Sequence, residues 1–141
     1  MDLFNELRNM KILLIDDDEW VRDSLTLFLE TEGCHLKALE TAEEGLEALK
    51  DEKYDIIITD YWLPGMDGLD FLSRVSNSSS NAMKILITAY GSHSVIEKAK
   101  ALGVDSLIAK PFSSESLEYV LQQLLEMAKK NKSQFNAKIS E

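Results

Sequence analysis

Short apolar runs alternate along the chain with longer segments in which apolar residues recur every three to four positions. The runs are flanked by polar residues, which is typical of strands buried on both faces. They lie at residues 11–15, 35–39, 56–59, 84–87 and 106–109. The segments between and after them have helical periodicity, so the pattern predicts five strands that alternate with five helices.

Residues that begin and end helices stand at the limits of the helical segments. Thr41 and Glu44 have the spacing of a capping box, and Gly33 and Gly103 stand where helices would end. Strict alternation of strand and helix predicts an α/β fold in which a parallel sheet has right-handed crossovers and helices on both faces. In such sheets, ligands bind beyond the carboxyl ends of the strands.

The length of 141 residues and a hydrophobic content of 45% suit one domain with a substantial core. We expect an N-terminal extension over 1–10, the domain over 11–127, and a lysine-rich tail or start of a linker over 128–141. The single cysteine, Cys34, cannot form an internal disulfide, and no signal-like segment opens the chain. No apolar run approaches the roughly 18 residues of a membrane span. A cytoplasmic location is therefore expected.

Acidic residues outnumber basic ones by 25 to 15, which gives a net charge of -10. Such a surface repels phosphate backbones. Direct binding of nucleic acid by this chain is not expected.

Polar side chains follow four of the five predicted strands. They are Asp16, Asp17, Asp18, Asp60, Thr88 and Lys110. Carboxylates gathered at one edge of a sheet repel one another and take up protons unless a cation neutralises them. The pattern offers oxygen ligands only, which favours a hard ion such as Mg²⁺ over zinc. Asp60 is the candidate nucleophile, because a carboxylate can accept a phosphoryl group while a metal and a lysine neutralise its oxygens.

Taken together, these residues resemble the receiver domain of bacterial two-component response regulators over roughly 11–127. The resemblance rests on the order and separation of the acidic pair Asp16-Asp17, Asp60, the LPGMDG segment at 63–68, Thr88-Ala89 and Lys110-Pro111-Phe112. It implies a flavodoxin-like, doubly wound (βα)5 fold whose five-stranded parallel sheet has the strand order 2-1-3-4-5.

The resemblance also implies a metal site. Asp17 and Asp60 would bind Mg²⁺ directly together with the backbone carbonyl of Trp62, and Asp16 would act largely through metal-bound water. Mn²⁺ is an alternative ion. No other cofactor is implied.

A second set of roles concerns the phosphoryl group on Asp60. Lys110 would pair with one phosphoryl oxygen, and the Thr88 hydroxyl would turn toward another. The backbone amides of Tyr61 and Ala89 would donate to the remaining oxygens. The peptide bond between Lys110 and Pro111 is expected to be cis.

The resemblance implies a signalling module rather than an enzyme, one that catalyses only its own phosphoryl transfer and dephosphorylation. Its phosphodonor would be a histidine kinase or a phosphotransfer protein, and small acyl phosphates serve some members. Its output would pass to a protein or domain that the sequence does not identify, through a face made by the fourth helix, the fifth strand and the fifth helix. The same face offers a route to a homodimer.

Three positions depart from what the family usually carries. Leu107 occupies the place of an aromatic residue that swings inward on activation, so we expect a smaller energy difference between the two states of the output face. Trp62 and Tyr90 lie two residues after Asp60 and Thr88, where they flank the site. Because hydrolysis needs an in-line approach of water, two bulky side chains there predict slow autodephosphorylation.

Some acidic residues have simpler interpretations, and two other functions share parts of the pattern. Asp18 and Asp67 are better explained as helix starts than as ligands. A small Mg²⁺-dependent phosphatase of the haloacid dehalogenase type would use an Asp-x-Asp motif, which Asp16 and Asp18 could imitate, but it leaves the segment after Asp60 unexplained. A flavodoxin-like cofactor site is disfavoured, because three aspartates after the first strand would repel the cofactor's phosphate.

Overall fold

The computed structural model describes residues 2–77, 81–89 and 93–140. Five strands and six helices lie in these ranges. In chain order they are α1 (Leu3–Leu7), β1 (Lys11–Ile15), α2 (Glu19–Thr31), β2 (His35–Leu39), α3 (Ala42–Asp51), β3 (Ile56–Asp60), α4 (Gly68–Asn77), β4 (Met83–Thr88), α5 (His93–Ala101), β5 (Ser106–Ala109) and α6 (Ser114–Ser140). The predicted output face is therefore formed by α5, β5 and α6.

All five strands form one parallel sheet in the order β2-β1-β3-β4-β5. The predicted fold class and the strand order implied by the resemblance are confirmed. β3 ends one residue later than predicted and so includes Asp60, which is paired with Ile87 of β4. The register also pairs Ile15 with Thr59 and Thr88 with Ala109, so the carboxyl ends of four strands meet at one edge.

The sheet separates two apolar clusters, because successive side chains of each strand point to opposite faces. The first cluster joins strand residues such as Ile12 and Leu14 to α1, α2 and α6. The second joins Leu13 and Ile15 of the same strand to α3, α4 and α5. Strands buried on both faces in this way explain the continuous apolar runs of the sequence.

The predicted helix signals are found where the sequence places them. Asp18 is the N-cap of α2 and accepts from the Trp20 amide at 2.9 Å. Thr41 and Glu44 form a reciprocal capping box at the start of α3. Gly33 has φ of 80°, a left-handed conformation that glycine adopts at little cost.

The N-terminal residues add a short helix to the first cluster. Leu3 and Leu7 of α1 are buried, and the ring of Phe4 packs edge-on against that of Phe28 at 5.9 Å. Arg8 Nε donates to the carbonyl of Glu32 at 2.7 Å, which ties α1 to the end of α2.

The last helix, α6, continues without a break past residue 127 to Ser140. Lys129, in this continuation, forms an ion pair with Glu6 of α1. The division of the chain at 10/11 and 127/128 remains a prediction. Among the helices in the described ranges, none is long and apolar enough to cross a membrane.

At the amino-terminal edge of the sheet, two aspartates bind the backbone of neighbouring strands. Asp55 Oδ2 accepts from the Lys11 amide at 2.7 Å, and Asp105 Oδ2 accepts from the Lys84 amide at 2.7 Å. In return, the Asp55 and Asp105 amides donate to the carbonyls of Lys11 and Lys84. These carboxylates supply acceptors to strand amides that begin the sheet.

Candidate functional site

Three carboxylates converge at the carboxyl edge of the sheet, as the strand-end pattern predicts. Asp16 and Asp17 follow β1, and Asp60 ends the neighbouring strand β3. One carboxylate oxygen from each lies within 4.8 Å of the others. Asp16 and Asp60 are buried, whereas Asp17 is exposed. The cluster therefore has a buried floor and an open side.

Among the described residues, Lys110 supplies the one charged group that pairs with the carboxylate oxygens of this cluster. It follows β5, and its Nζ donates to Asp60 Oδ2 at 2.9 Å and lies 3.1 Å from Asp16 Oδ2. The peptide bond between Lys110 and Pro111 is cis, as predicted. One ammonium group thus faces two buried carboxylates.

The electrostatics of the cluster follow from burial and crowding. Burial raises the pKa of Asp16, and the nearby Asp60 charge adds to this, against the hydrogen bond from the Asp18 amide and the Lys110 charge. Burial also raises the pKa of Asp60, against Lys110 and the Trp62 amide. For Lys110, burial opposes the charged form, but the hydrogen bond to Asp60 and the adjacent Asp16 carboxylate outweigh it and raise its pKa. The two acids are therefore poorly stabilised as anions by the protein alone.

An unsatisfied oxygen shows where the cluster lacks a partner. Asp16 Oδ2 is buried and accepts no hydrogen bond of good geometry from the described residues, although the Lys110 ammonium lies beside it. Buried carboxylate oxygens are normally hydrogen-bonded or coordinate a metal. An all-oxygen donor set in which one buried oxygen lacks a hydrogen bond fits a hard divalent cation such as Mg²⁺.

The segment after β1 is held by its own backbone and by one basic side chain. Asp16 Oδ1 accepts from the Asp18 amide at 2.9 Å, and Arg22 Nη1 of α2 donates to the Asp16 carbonyl at 2.9 Å. Asp18 is engaged in capping α2, so its interpretation as a helix start is confirmed. The phosphatase-like pairing of Asp16 with Asp18 is not supported by this geometry.

The loop after β3 turns sharply beneath Asp60. The Gly68 amide donates to the Tyr61 carbonyl at 2.9 Å. A Cβ on Gly68 would lie 2.2 Å from the Asp60 carbonyl oxygen, a distance that no side chain tolerates. Asp67 accepts from the Asp70 amide at 2.8 Å and so caps α4, as predicted. Glycine at 68 lets the phosphoacceptor candidate and the next helix approach this closely.

One expectation about this loop is wrong. The Tyr61 amide does not face the site, because it donates to the Ile87 carbonyl at 2.7 Å and so continues the pairing of β3 with β4. The amide that faces the Asp60 carboxylate and lowers its pKa is that of Trp62. Since side chains and amides alternate in direction along an extended chain, the error is a shift of one residue.

A cleft of about 770 Å³ opens above the cluster. Its walls include Thr88 at the end of β4, Ala89 directly after it, and Trp62, which is 77% exposed. Thr88 is itself buried. The structure therefore brings Thr88, Ala89 and Trp62 to the same opening as Asp60 and Lys110. Tyr90 lies outside the described residues.

A second, mainly apolar cleft of about 520 Å³ adjoins the first on the side of α2 and α6. It is lined by Trp20, Phe28 and Phe112, and it shares Ala89 and Lys110 with the first cleft. Trp20 is 78% exposed. Both tryptophans of the chain thus stand exposed at clefts that Lys110 helps to line.

Leu107 occupies the middle of β5 and is half-buried against the apolar cluster on the side of α5. It therefore lies on the predicted output face, where the resemblance puts the switch position. It lies outside the walls of the acidic cleft.

Three residues that shape the site were not found from the sequence. Arg22 could have been suspected, because it stands six residues after Asp16 on the helix that follows. Gly68 was noted only as part of a motif. Glu43 contacts the loop after β3 through Met66, 23 residues away, and nothing in the local pattern indicates this contact.

Comparison with known proteins places this geometry in context. Residues 12–122 match the sequence profile described as the response regulator receiver domain. Sporulation initiation phosphotransferase F of Bacillus subtilis is 30% identical over 119 residues, covering 84% of this chain and 96% of that protein. The two-component response regulator PhoP of Pseudomonas aeruginosa is 32% identical over 116 residues, but the chain covers only 52% of it.

A solved structure gives the same result for the fold. The CheY-like response regulator receiver domain protein from Methanospirillum hungatei superposes with a TM-score of 0.81 at 30% identity, covering 86% of this chain and 98% of that one.

Proposed function

The chain belongs to the response regulator receiver domain family, and from this membership we propose that it is a phosphorylation-controlled binding module whose phosphoacceptor is Asp60. The observation that supports this most directly is the placement of Asp60. Asp60 is the last residue of the central strand. Its carboxylate accepts a hydrogen bond from the Lys110 ammonium at 2.9 Å and borders an open cleft.

The cation is proposed to bind at Asp17 and Asp60 and at the Trp62 carbonyl, with Asp16 acting largely through water. Convergent carboxylate oxygens and the unsatisfied Asp16 Oδ2 support this arrangement. When bound, Mg²⁺ would neutralise charge on the phosphoryl oxygens during transfer. Mn²⁺, which also prefers oxygen ligands, is the alternative.

The reaction follows from the groups around Asp60. A carboxylate oxygen of Asp60 attacks the phosphorus of a phosphohistidine, a P–O bond forms as the P–N bond breaks, and the imidazole of the donor leaves. The product is an acyl phosphate on Asp60. Lys110, already hydrogen-bonded to that carboxylate, shifts to pair with a phosphoryl oxygen. The Thr88 hydroxyl and the Ala89 amide, at the wall of the cleft, donate hydrogen bonds to the other phosphoryl oxygens.

The donor is proposed to be a histidine kinase or a phosphotransfer protein in the cytoplasm, and the output partner is a protein or domain yet to be identified. We do not expect nucleic acid to bind this chain directly, given its net charge of -10. The family match does not favour the phosphatase alternative.

Phosphorylation is tested by incubation with acetyl phosphate and Mg²⁺, followed by mass spectrometry of the intact chain. We expect one added phosphoryl group in the wild type and none in Asp60→Ala. A matched control is Asp55→Ala, which removes an aspartate from the same strand region but at the opposite edge of the sheet. A mass gain that persists in Asp60→Ala would move the phosphoacceptor elsewhere, and continuous phosphomonoester turnover would restore the phosphatase.

The lifetime of the acyl phosphate is proposed to be long, because Trp62 stands over the cleft and Tyr90 is expected on its other side. Replacing Trp62 with Asn should open the in-line path for water and speed the loss of phosphate by about tenfold or more. Decay is followed by phosphate release after removal of the donor, with Trp20→Asn as the control at the neighbouring cleft. Equal decay rates in wild type and Trp62→Asn would refute the shielding role.

The output face of α5, β5 and α6 is proposed to respond to phosphorylation with a smaller energy difference than in relatives with an aromatic residue at position 107. A full population shift from 1:99 to 99:1 needs about 5.5 kcal/mol, and a change in the rotamer of Leu107 supplies only part of it. Chemical shifts of these elements with and without beryllofluoride measure the response. Shifts confined to the acidic cleft would contradict it, and a concentration series would reveal a homodimer through this face.

A further inference from the structure

The loop between β3 and α4 carries the proposed cation ligand, the Trp62 carbonyl, only two residues after Asp60. The two ends of the loop are fixed to the sheet side of the site. Tyr61 donates its amide to the Ile87 carbonyl at 2.7 Å, and its carbonyl accepts from the Gly68 amide at 2.9 Å. The position of the loop's tip, residues 64–66, is not determined by these bonds.

A carboxylate from a different helix contacts that tip. Glu43 Oε1, in the first turn of α3, accepts from the Met66 amide at 3.2 Å. The same oxygen packs against Gly65, since a Cβ at Gly65 would lie 3.2 Å from it. Gly65 has φ of 78°, so the backbone here adopts a left-handed conformation that turns the Met66 amide out of the loop. The tip and the carboxylate are complementary in shape and in hydrogen bonding.

The start of α3 is itself fixed to the other half of the site. The capping box of Thr41 and Glu44 orders the first turn that contains Glu43. Gly45, two residues later, packs so closely on β1 that an added Cβ would lie 2.7 Å from Ile15 Cδ1. Ile15 directly precedes the acidic pair Asp16-Asp17. Helix α3 therefore connects the loop after β3 with the end of β1, because Glu43 contacts the loop and Gly45 packs against Ile15.

We propose that Glu43 is a positioning residue for the cation site: its carboxylate holds the Met66 amide and thereby fixes the loop that presents the Trp62 carbonyl beside Asp17 and Asp60. This inference rests on the proposed function, because it concerns the same cation. Glu43 does not contact the cluster itself. It acts by reducing the number of conformations of the loop that must be lost when the cation binds.

The test uses the full chain labelled with ¹⁵N, without donor or phosphate. Two quantities are read from the same spectra: the hydrogen exchange rate of the Met66 amide, and the Mg²⁺ dissociation constant from shifts of residues at the cleft. Losing a hydrogen bond to a charged acceptor at an exposed position corresponds to about a fivefold change in an equilibrium constant. We therefore expect Glu43→Ala to speed Met66 exchange about fivefold and to weaken Mg²⁺ binding about fivefold.

Two matched variants separate the hydrogen bond from charge and from helix stability. Glu43→Gln keeps an acceptor oxygen but removes the charge, and it should stay within about twofold of the wild type in both quantities. Glu44→Ala removes the same charge from the adjacent position and breaks the capping box, but it leaves the loop contact intact. Because the capping box orders the turn that contains Glu43, this variant should weaken Mg²⁺ binding and speed Met66 exchange by about twofold, well short of the effect of Glu43→Ala.

Three results would overturn the inference: Mg²⁺ affinity in Glu43→Ala equal to that of the wild type, a loss in Glu43→Gln as large as in Glu43→Ala, or a loss in Glu44→Ala as large as in Glu43→Ala. The first denies the coupling, the second attributes it to charge, and the third to helix stability. Each leaves the proposed function standing, because the wild type still binds the cation. Absence of saturable Mg²⁺ shifts in the wild type would overturn the cation site and this inference with it.

Discussion

The two edges of the sheet use the same residue type for opposite purposes. At the amino-terminal edge, the carboxylates of Asp55 and Asp105 each accept a hydrogen bond from a backbone amide at 2.7 Å. Their own amides donate to the carbonyl of the same neighbouring residue. At the carboxyl edge, Asp16 and Asp60 lie close to each other and to Asp17, and burial raises the pKa of the first two.

The difference is in what the surrounding protein supplies. Asp55 and Asp105, at the amino-terminal edge, accept hydrogen bonds from backbone amides in place of water, so their contacts stabilise the fold. Asp16 and Asp60, at the carboxyl edge, share the one ammonium group of Lys110. Asp16 Oδ2 is left without a hydrogen bond from the described residues. A buried carboxylate with an unsatisfied oxygen lowers the stability of the fold but attracts cations. Functional sites commonly combine these two properties.

The largest effect on stability is expected at the amino-terminal edge. Asp105→Ala leaves the part-buried Lys84 amide without its acceptor and should lower the free energy of unfolding by about 2 kcal/mol. Asp105→Asn keeps an acceptor oxygen and should retain most of that stability. Asp60→Asn, at the other edge, should change the free energy of unfolding by less than about 1 kcal/mol, since Lys110 keeps Asp16 as a partner. Urea unfolding in EDTA measures all three, and a loss in Asp60→Asn equal to that in Asp105→Ala would erase the contrast.

A smaller effect is expected from the cation. Mg²⁺ at ten times its dissociation constant should raise the free energy of unfolding by about 1.4 kcal/mol in the wild type. The gain should disappear in Asp60→Asn and persist in Asp105→Asn. It is measured as the shift of the urea midpoint with Mg²⁺, with Na⁺ at equal ionic strength as the control. Equal gains in both variants would mean that the ion stabilises the acidic surface in general.

The smallest effect is a pH dependence of stability that begins at the unfolded pKa of aspartate, about 3.9, and extends upward in pH. A folded-state pKa raised above the unfolded value of about 3.9 means that the folded protein prefers protonated Asp16 and Asp60. Their contribution is therefore present below the unfolded pKa and is lost as pH rises through the folded pKa. The stability of the wild type relative to Asp60→Asn should fall over this window in EDTA. Saturating Mg²⁺ should reduce the fall, and a rise with pH would contradict the burial argument.

Much of the fold could be predicted because its signals are local. Strands buried on both faces give apolar runs that end in a polar residue, and β1, β2 and β5 have the predicted bounds. The capping box and Gly33 are equally local. The length of α6 was not predicted, because its continuation is polar and weakly periodic, and a contact such as that of Lys129 with Glu6 depends on the packing of α1.

For the site, the sequence predicted which residues meet but not how the backbone around them is held. Asp16, Asp17, Asp60 and Lys110 could be named because parallel strands bring their carboxyl ends to one edge. The sequence did not predict which loop amide faces Asp60, since this depends on a one-residue alternation. The contacts of Glu43 and of the aspartates at the amino-terminal edge could not be predicted either, because their partners are 21 to 44 residues away.

The division of the interior by the sheet has a mechanical consequence. Leu63 and Leu69, on either side of the loop after Asp60, are anchored in the apolar cluster beneath α3, α4 and α5. Phe112, beside Lys110, packs against the cluster beneath α1, α2 and α6. A group bound between Lys110 and Asp60 therefore contacts chain segments that are packed on both faces of the sheet. A change in that group is therefore expected to displace residues on both faces of the sheet.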